Sequence, residues 1–140
     1  MLRFRRLFVD TSFWIAVANS KDQDHRAALA LVQTLWPDVE LITSSFVLIE
    51  FLNYFSEYGT LARKNATAFI RNIEADPRVK VVELSMDFYH SGIERYERFA
   101  DKGWSLTDCI SFLIMEHNEL AESLTFDRHF LQAGFTSPML

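Results

Sequence analysis

The chain has 140 residues, of which 49% are hydrophobic and 24% charged, and its formal net charge is −5. This length predicts one globular domain, and the 13 Phe residues exclude intrinsic disorder. The acidic balance, 14 Lys and Arg against 19 Asp and Glu, disfavours a protein that coats nucleic acid through a broad basic surface. The single cysteine, Cys109, excludes an intrachain disulfide and a thiolate-rich zinc site.

The N-terminal segment has the charge pattern of a secretory signal. Arg3, Arg5 and Arg6 precede an apolar stretch, and residues 16–18 (AVA) resemble a cleavage site. Asp10 lies inside that stretch, however, where a carboxylate costs about 3 kcal/mol on membrane-insertion scales. No run reaches the ~20 apolar residues of a membrane span. We therefore expect a cytoplasmic protein without a membrane segment, and the low cysteine content suits a reducing compartment.

Hydrophobic periodicity predicts strands that alternate with helices. Apolar runs predict strands over residues 7–9, 39–43, 79–84 and 122–124. Helical patterns cover residues 12–19, 25–36, 45–58, 60–75, 86–99 and 105–117, with a last helical turn from about residue 127. This order predicts an α/β fold with a central parallel sheet. No linker or repeat interrupts the sequence, so residues 1–140 are expected to form a single domain.

Two of the predicted helices have apolar stripes that we assign to the core. The stripe of helix 45–58 consists of Val47, Phe51, Tyr54, Phe55 and Tyr58. The stripe of helix 60–75 consists of Leu61, Ala68, Phe69 and Ile73. Residues at this spacing lie on one side of a helix, so each stripe is expected to face the sheet.

Acidic residues follow the predicted strands, at the edge where ligands bind in parallel α/β sheets. Asp10 follows the first strand directly, and Asp127 comes shortly after the last one. Glu50 lies in the helix after the second strand, and Asp108 lies in the first turn of helix 105–117. We therefore expect these four carboxylates to lie near the same edge of the sheet.

The sequence around Glu50 indicates a cation site. Its neighbours are apolar, and it shares a helix face with Phe46 and Asn53. A buried, unpaired carboxylate is costly, so Glu50 requires a cation, a metal ion or a proton. Carboxylate oxygens are the ligands that Mg²⁺ and Mn²⁺ prefer, and such ions activate water in phosphoryl chemistry.

Each acidic residue also has a purely structural explanation. Asp10 or Asp127 can cap the helix that follows it, and Ser105 with Asp108 fits a capping box. Glu50 can pair with a distant Arg in the core. Capping explains the four residues less easily when they are taken together, because all of them lie near strand ends.

Four segments resemble the sequence motifs of PIN-domain ribonucleases. They are residues 8–13 (FVDTSF), 44–53 (SSFVLIEFLN), 105–109 (SLTDC) and 124–130 (LTFDRHF). Residues 24–28 (DHRAA) also match the family's usual sequence at the start of its second helix. The resemblance extends from Phe8 to Phe135, and the size is that of VapC-type toxins of prokaryotic toxin–antitoxin pairs. No departure from the family pattern occurs at the four acidic positions.

The resemblance implies a PIN-like domain, with a central parallel sheet flanked by helices, that hydrolyses RNA phosphodiester bonds. It implies one or two Mg²⁺ or Mn²⁺ ions held by Asp10, Glu50, Asp108 and Asp127. By family pattern Thr11 and Ser12 support Asp10, Thr125 supports Asp127, and Asn53 supports Glu50. Related toxins form homodimers, and a cognate antitoxin inserts a segment at the acidic site, so RNA, an antitoxin and a second copy are the expected partners.

Basic, aromatic and imidazole side chains are weaker candidates. Arg128 adjoins Asp127 and is a candidate RNA contact. Trp104 can stack on a base near the site, although an aromatic residue at a helix entry also fits a hydrophobic staple. The histidines lack metal-ligand spacing, and we interpret all four as surface or capping residues: His25, His90, His117 and His129.

The predicted function is a Mg²⁺-dependent endoribonuclease of the VapC type. An alternative is a PIN-fold module that binds RNA or protein without cleaving, which the presence of all four acids disfavours. A small metal-dependent phosphohydrolase is also disfavoured, because the aspartyl-phosphate type requires Asp-x-Asp, whereas Thr11 and Ser12 follow Asp10.

Overall fold

The structure is a computed structural model that describes residues 5–140. In this range the strands are β1 Arg5–Val9, β2 Val39–Ser44, β3 Val79–Val82 and β4 Ser123–Leu124. The helices are α1 Thr11–Ala18, α2 His25–Leu35, α3 Ser45–Tyr54, α4 Thr60–Ala75, α5 Met86–Arg98, α6 Leu106–His117 and α7 His129–Gln132. The alternation of strands and helices is the predicted one.

The strands form one parallel sheet in the order β3-β2-β1-β4. β1 pairs with β2 on one side and with β4 on the other, where Phe8 aligns with Ser123 and Val9 aligns with Leu124. Parallel strands covered on both faces are apolar throughout, and the last three residues of β1 are fully buried. The predicted α/β fold is confirmed, and Asp10 lies at the carboxyl end of an inner strand.

Phenylalanine side chains build much of the core. Phe8 of β1, Phe112 of α6 and Phe130 of α7 are all fully buried. The ring centroid of Phe130 lies 6.3 Å from that of Phe8 and 5.0 Å from that of Phe112. Aromatic pairs at such separations stabilise the fold beyond the area they bury. This cluster therefore fixes α6 and α7 against the central strand.

The predicted elements are present with small differences at their ends. α4 has the predicted boundaries, whereas α3 ends at Tyr54 and not at residue 58. β3 ends at Val82, two residues before the predicted end. The side chain of Ser44 accepts a hydrogen bond from Val47 N at 3.1 Å and so caps α3. Ser85 caps α5 in the same way, and both helices begin at the predicted residue but end earlier than predicted.

Two predicted core stripes are partly wrong. Tyr54 and Tyr58 were assigned to the core, but they are 41% and 65% exposed. Leu61 of α4 is 71% exposed, and Ala68 is exposed as well. For Tyr54 the reason is that α3 carries apolar residues around most of its circumference, including Ile49, which is 47% exposed, while Tyr58 lies beyond the end of this helix. Periodicity therefore does not distinguish the buried side of this region.

From Arg5 onwards, the segment with the charge pattern of a signal belongs to the folded domain. Arg5 and Arg6 begin β1, residues 11–18 form α1, and Ala16 is fully buried. Arg3 lies outside the described residues. In residues 5–140, every helix falls short of the length and hydropathy that a membrane span requires.

Candidate active site

An open cleft of about 610 Å³ lies at the carboxyl ends of the inner strands. Its lining includes all four predicted carboxylates: Asp10, Glu50, Asp108 and Asp127. Asp10 follows β1 and Asp127 follows β4, while α3 and α6 carry the other two. The parallel sheet thus brings together acidic residues that are far apart in sequence, as the strand-end pattern predicted.

Asp10 is the most buried of these carboxylates, with 5% of its surface exposed. Its Oδ2 accepts hydrogen bonds from Thr125 Oγ1 at 2.8 Å and from Ser12 Oγ at 3.0 Å. Burial raises the pKa of Asp10 to about 7, and the negative charge of Asp108 adds to that effect, although the two hydroxyl donors oppose it. A bound cation would remove the cost of ionising this carboxyl.

The same two hydroxyl groups connect Asp10 to the loop after β4. Thr125 Oγ1 accepts a hydrogen bond from Asp127 N at 3.0 Å while it donates to Asp10. Ser12 Oγ accepts from Phe126 N at 3.0 Å while it donates to Asp10. Thr125 therefore contacts both carboxylate residues, and not Asp127 alone as the family pattern suggested.

Glu50 is partly buried on α3, and its Oε1 accepts a hydrogen bond from Thr11 Oγ1. The hydroxyl of Thr11 thus contacts Glu50, whereas the family pattern placed it beside Asp10. Burial raises the pKa of Glu50, and the charge of Asp108 adds to the effect. Within residues 5–140, no ion pair includes Glu50, so a core Arg does not explain this carboxylate there.

Asp108 takes part in the capping of α6 and also lines the cleft. Its Oδ2 accepts a hydrogen bond from Ser105 N at 3.1 Å, and Ser105 Oγ accepts one from Asp108 N at 3.0 Å, which is the predicted capping box. Burial raises the pKa of Asp108, against an opposing contribution from His129. The capping interpretation is therefore correct for Asp108, and it coexists with a position in the cleft.

The capping explanation fits the other two residues less well. Asp10 occupies the N-cap position of α1, but its side chain makes no capping hydrogen bond. The N-cap position of α7 belongs to Arg128 and not to Asp127. Asp127 Oδ1 does accept a hydrogen bond from His129 N at 2.9 Å, so it stabilises the turn before α7.

His129 is a cleft residue that the sequence analysis missed. Its Nδ1 lies 2.9 Å from Asp108 Oδ2 and 3.4 Å from Asp127 Oδ1. The interpretation of His129 as an isolated surface or capping residue is therefore wrong. The sequence did offer one indication, because His129 comes only two residues after Asp127. The criterion of metal-ligand spacing overlooked it, since that criterion looks for a second histidine or cysteine nearby in sequence.

The side chains in the cleft fit a hard divalent cation. Asp108, Asp127 and His129 each offer a ligand atom, and these atoms lie within 4.8 Å of one another. Asp10 and Glu50 add carboxylates whose ionisation is disfavoured by burial. Oxygen ligands suit Mg²⁺ and Mn²⁺, and an imidazole nitrogen suits Mn²⁺ better than Mg²⁺.

The three remaining predicted residues differ in their exposure to solvent. Asn53 is exposed and lines the cleft one turn after Glu50. Trp104 is 8% exposed, and its Nε1 donates to Gln132 Oε1 at 3.1 Å, so this packing leaves little ring surface for a base. Arg128 is exposed next to Asp127.

Comparisons with known proteins give consistent matches over nearly the whole chain. A family model described as the PIN domain matches residues 7–136. The chain is 31% identical over 129 residues to the 23S rRNA-specific endonuclease VapC20 of Mycobacterium tuberculosis, and the match covers 92% of this chain and 95% of that protein. The crystal structure of VapC20, described as a sarcin–ricin loop cleaving toxin, has a TM-score of 0.81 at 29% identity, with 92% of this chain and 95% of that chain covered.

More distant solved structures share the fold. VapBC2 from Rickettsia felis, bound to a DNA fragment from its promoter, has a TM-score of 0.64 at 13% identity, covering 94% of this chain and 96% of that chain. FitAcB from Neisseria gonorrhoeae has a TM-score of 0.64 at 14% identity, covering 94% of this chain and 95% of that chain. The match of the family model over nearly the whole chain, together with the identity to VapC20, shows that this chain belongs to the PIN domain family.

Proposed function

We propose that the chain is a metal-dependent endoribonuclease and the toxin of a toxin–antitoxin pair. The observation that carries the proposal is the convergence of four carboxylates in one open cleft: Asp10, Glu50, Asp108 and Asp127. Among residues 5–140, no Lys or Arg forms an ion pair with any of them. The similarity to an rRNA endonuclease over 92% of the chain supports the same chemistry.

In this proposal, some residues of the cleft hold the ion, and others orient the side chains that hold it. A divalent ion, when bound, supplies neutralisation of phosphate charge and activation of water. Thr125 and Ser12 hold the carboxylate of Asp10 in one orientation by donating to its Oδ2. Glu50 has a raised pKa, which suits a group that orients the attacking water and accepts its proton. Asp108 and Asp127 complete the oxygen ligands.

Ribosomal RNA is the proposed substrate class. VapC20 is named for cleavage of 23S rRNA and of the sarcin–ricin loop, and the match to it covers 92% of this chain and 95% of VapC20. The cleft is open, so an exposed loop of a folded RNA can reach the carboxylates. Arg128, exposed beside Asp127, is a proposed phosphate contact.

An antitoxin and a second copy of the chain are the proposed protein partners. VapBC2 of Rickettsia felis and VapBC of Salmonella typhimurium share the fold. An apolar stripe on α5 supports a homodimer, since Met86, Tyr89, Ile93 and Tyr96 are between 38% and 64% exposed at helical spacing. A ribosomal RNA substrate also implies a cytoplasmic location.

Cleavage of a synthetic RNA hairpin that carries the sarcin–ricin loop tests the proposal. We expect the parent chain to cut it with Mg²⁺ or Mn²⁺ and to stop when the ion is chelated. Asp10→Asn should abolish cleavage, whereas Asp38→Asn, an exposed acidic residue outside the cleft, should leave it unchanged. Binding of the hairpin without cleavage, by a chain that binds the divalent ion, would instead identify a non-cleaving RNA-binding module.

A further inference from the structure

Two tyrosines beside the acidic cleft are exposed where the sequence pattern placed them in the core. Tyr54 is 41% exposed and Tyr58 is 65% exposed. Their rings stack on each other with centroids 5.6 Å apart and an interplanar angle of 28°. We call this pair the tyrosine platform. Exposed, stacked aromatic rings are the surface on which single-stranded nucleic acids place their bases.

The tyrosine platform is continuous with the catalytic cleft. Tyr54 lines the cleft together with the four carboxylates, and it also lines a neighbouring groove of about 570 Å³. Tyr54 follows Glu50 by four residues on α3, which corresponds to one turn and a rise of about 6 Å. A base close to the scissile phosphate therefore lies within reach of the Tyr54 ring.

Phe55 packs against both rings of the tyrosine platform and holds them in place. The ring of Phe55 lies 4.9 Å from that of Tyr54 and 6.4 Å from that of Tyr58. Phe55 in turn contacts Phe51, which is fully buried, at 5.0 Å. A surface that is already ordered loses little conformational freedom when a ligand binds, so the platform is prepared for stacking.

The groove beside the platform also carries groups that can contact a nucleotide. Lys21, Asn19 and Asn65 line it with the two tyrosines, and they offer a cation and amide groups to phosphate and base edges. In the described part of the chain Lys21 forms no ion pair.

We infer that the tyrosine platform binds an unpaired base of the RNA next to the scissile phosphate and thereby selects single-stranded loops. This inference rests on the proposed ribonuclease function and adds to it a specificity-determining subsite. Duplex RNA, whose bases are stacked on one another, would not engage the platform.

Stacking is measured with the RNA hairpin carrying 2-aminopurine beside the cleavage site, since stacking quenches the fluorescence of this base. The quench is read by stopped flow in Mg²⁺ before cleavage occurs. We expect a quench with the parent chain and with Tyr54→Phe, which keeps the ring. Tyr54→Ala should lose the quench and raise KM by about tenfold or more, with a smaller effect on kcat.

Leu61→Ala removes an apolar side chain without a ring from the same groove, where Leu61 is 71% exposed, and should reduce the quench and raise KM much less than Tyr54→Ala does. Leu84→Ala is the control outside the site, because Leu84 is 59% exposed and lines neither the cleft nor the groove, and it should leave the quench and KM unchanged. An equal loss of binding in Leu61→Ala and Tyr54→Ala would overturn the inference and identify an apolar docking surface for a protein. An unchanged KM in Tyr54→Ala would also overturn it, while the parent chain would still cleave. Failure of the proposed function itself is distinct, because the parent chain would then not cleave the hairpin at all.

Discussion

Asp10 places a carboxyl group in the interior without a basic partner in residues 5–140. Its pKa is about 7 in the folded chain, against an ordinary value of 3.8, so folding takes up a proton between these pH values. Stability from this group is present at low pH and is lost as the pH rises towards 7. In chelator at pH 8, Asp10→Asn should therefore stabilise the fold and raise its Tm. The gain in the free energy of unfolding should be at most about 4 kcal/mol.

Thermal unfolding of the parent and Asp10→Asn at pH 5 and pH 8 checks this expectation. The gain should shrink at pH 5, where Asp10 of the parent is largely protonated. The exposed Asp38 provides the control, since Asp38→Asn should change the Tm little at either pH. A lower Tm of Asp10→Asn at pH 8 would contradict the assignment of a buried charge to this site.

His129 lies between two of the carboxylates and favours ionisation of one of them. Its Nδ1 is 2.9 Å from Asp108 Oδ2, and this contact lowers the pKa of Asp108 against the effect of burial. A carboxyl must lose its proton to bind a cation. In His129→Ala the pKa of Asp108 should rise further, so the midpoint of Mn²⁺ binding should move to higher pH in calorimetric titrations.

Two outcomes separate the possible roles of His129. An upward shift of the midpoint supports a residue that orients and ionises Asp108. A downward shift, with tighter Mn²⁺ binding at low pH, would show that the imidazole competes with the ion for the carboxylates. His90→Ala is a suitable control, because His90 is exposed on α5 and does not line the cleft.

At the scale of elements, the position of α6 depends on a close approach to α5. Gly92 of α5 is buried, and a Cβ atom at this position would lie 2.5 Å from Cγ1 of Ile110 on α6. Because α6 carries Asp108, this contact helps set the position of a site carboxylate. Gly92→Ala should destabilise the fold by about 1–3 kcal/mol through overpacking, less the ~1 kcal/mol that alanine gains in helix propensity.

Urea unfolding of Gly92→Ala, with Ser91→Ala as its exposed neighbour on α5, measures this effect. The double variant with Ile110→Ala should be less destabilised than the sum of the two single variants, since the clashing atom is removed. Additive effects would indicate that α5 simply shifts away from α6.

The strand-end rule explains what could be predicted about the site from sequence. In a parallel sheet, the residues that follow the strands lie at the same edge. The positions of Asp10, Asp127 and Glu50 could therefore be predicted from the apolar runs and their order in the sequence. The contact between His129 and Asp108 was not available, because it depends on the turn before α7 and on a side-chain rotamer. Tyr54 was assigned to the wrong side of α3 because that helix is apolar around most of its surface.

For the molecule as a whole, the net charge of −5 is concentrated in the cleft. Without the four cleft carboxylates, 15 of the 19 acidic residues remain against 14 basic ones, which leaves a charge of −1. The acidic balance is thus mainly a property of the site and not of the whole surface. It no longer argues against an RNA substrate, but it does place a negative potential where the scissile phosphate must lie.

This charge distribution predicts that RNA binding depends on divalent ions more than on ionic strength. Two Mg²⁺ ions would offset the four carboxylates, whereas monovalent ions at equal ionic strength only screen them. The affinity for a labelled RNA hairpin can be measured by stopped-flow anisotropy, read before cleavage. We expect the hairpin to bind in Mg²⁺, and to bind about tenfold or more weakly in Na⁺ at equal ionic strength. Glu50→Gln, which removes one cleft charge, should reduce this difference. Equal binding in the two salts would mean that basic surface residues hold the RNA and that the cleft only cuts it.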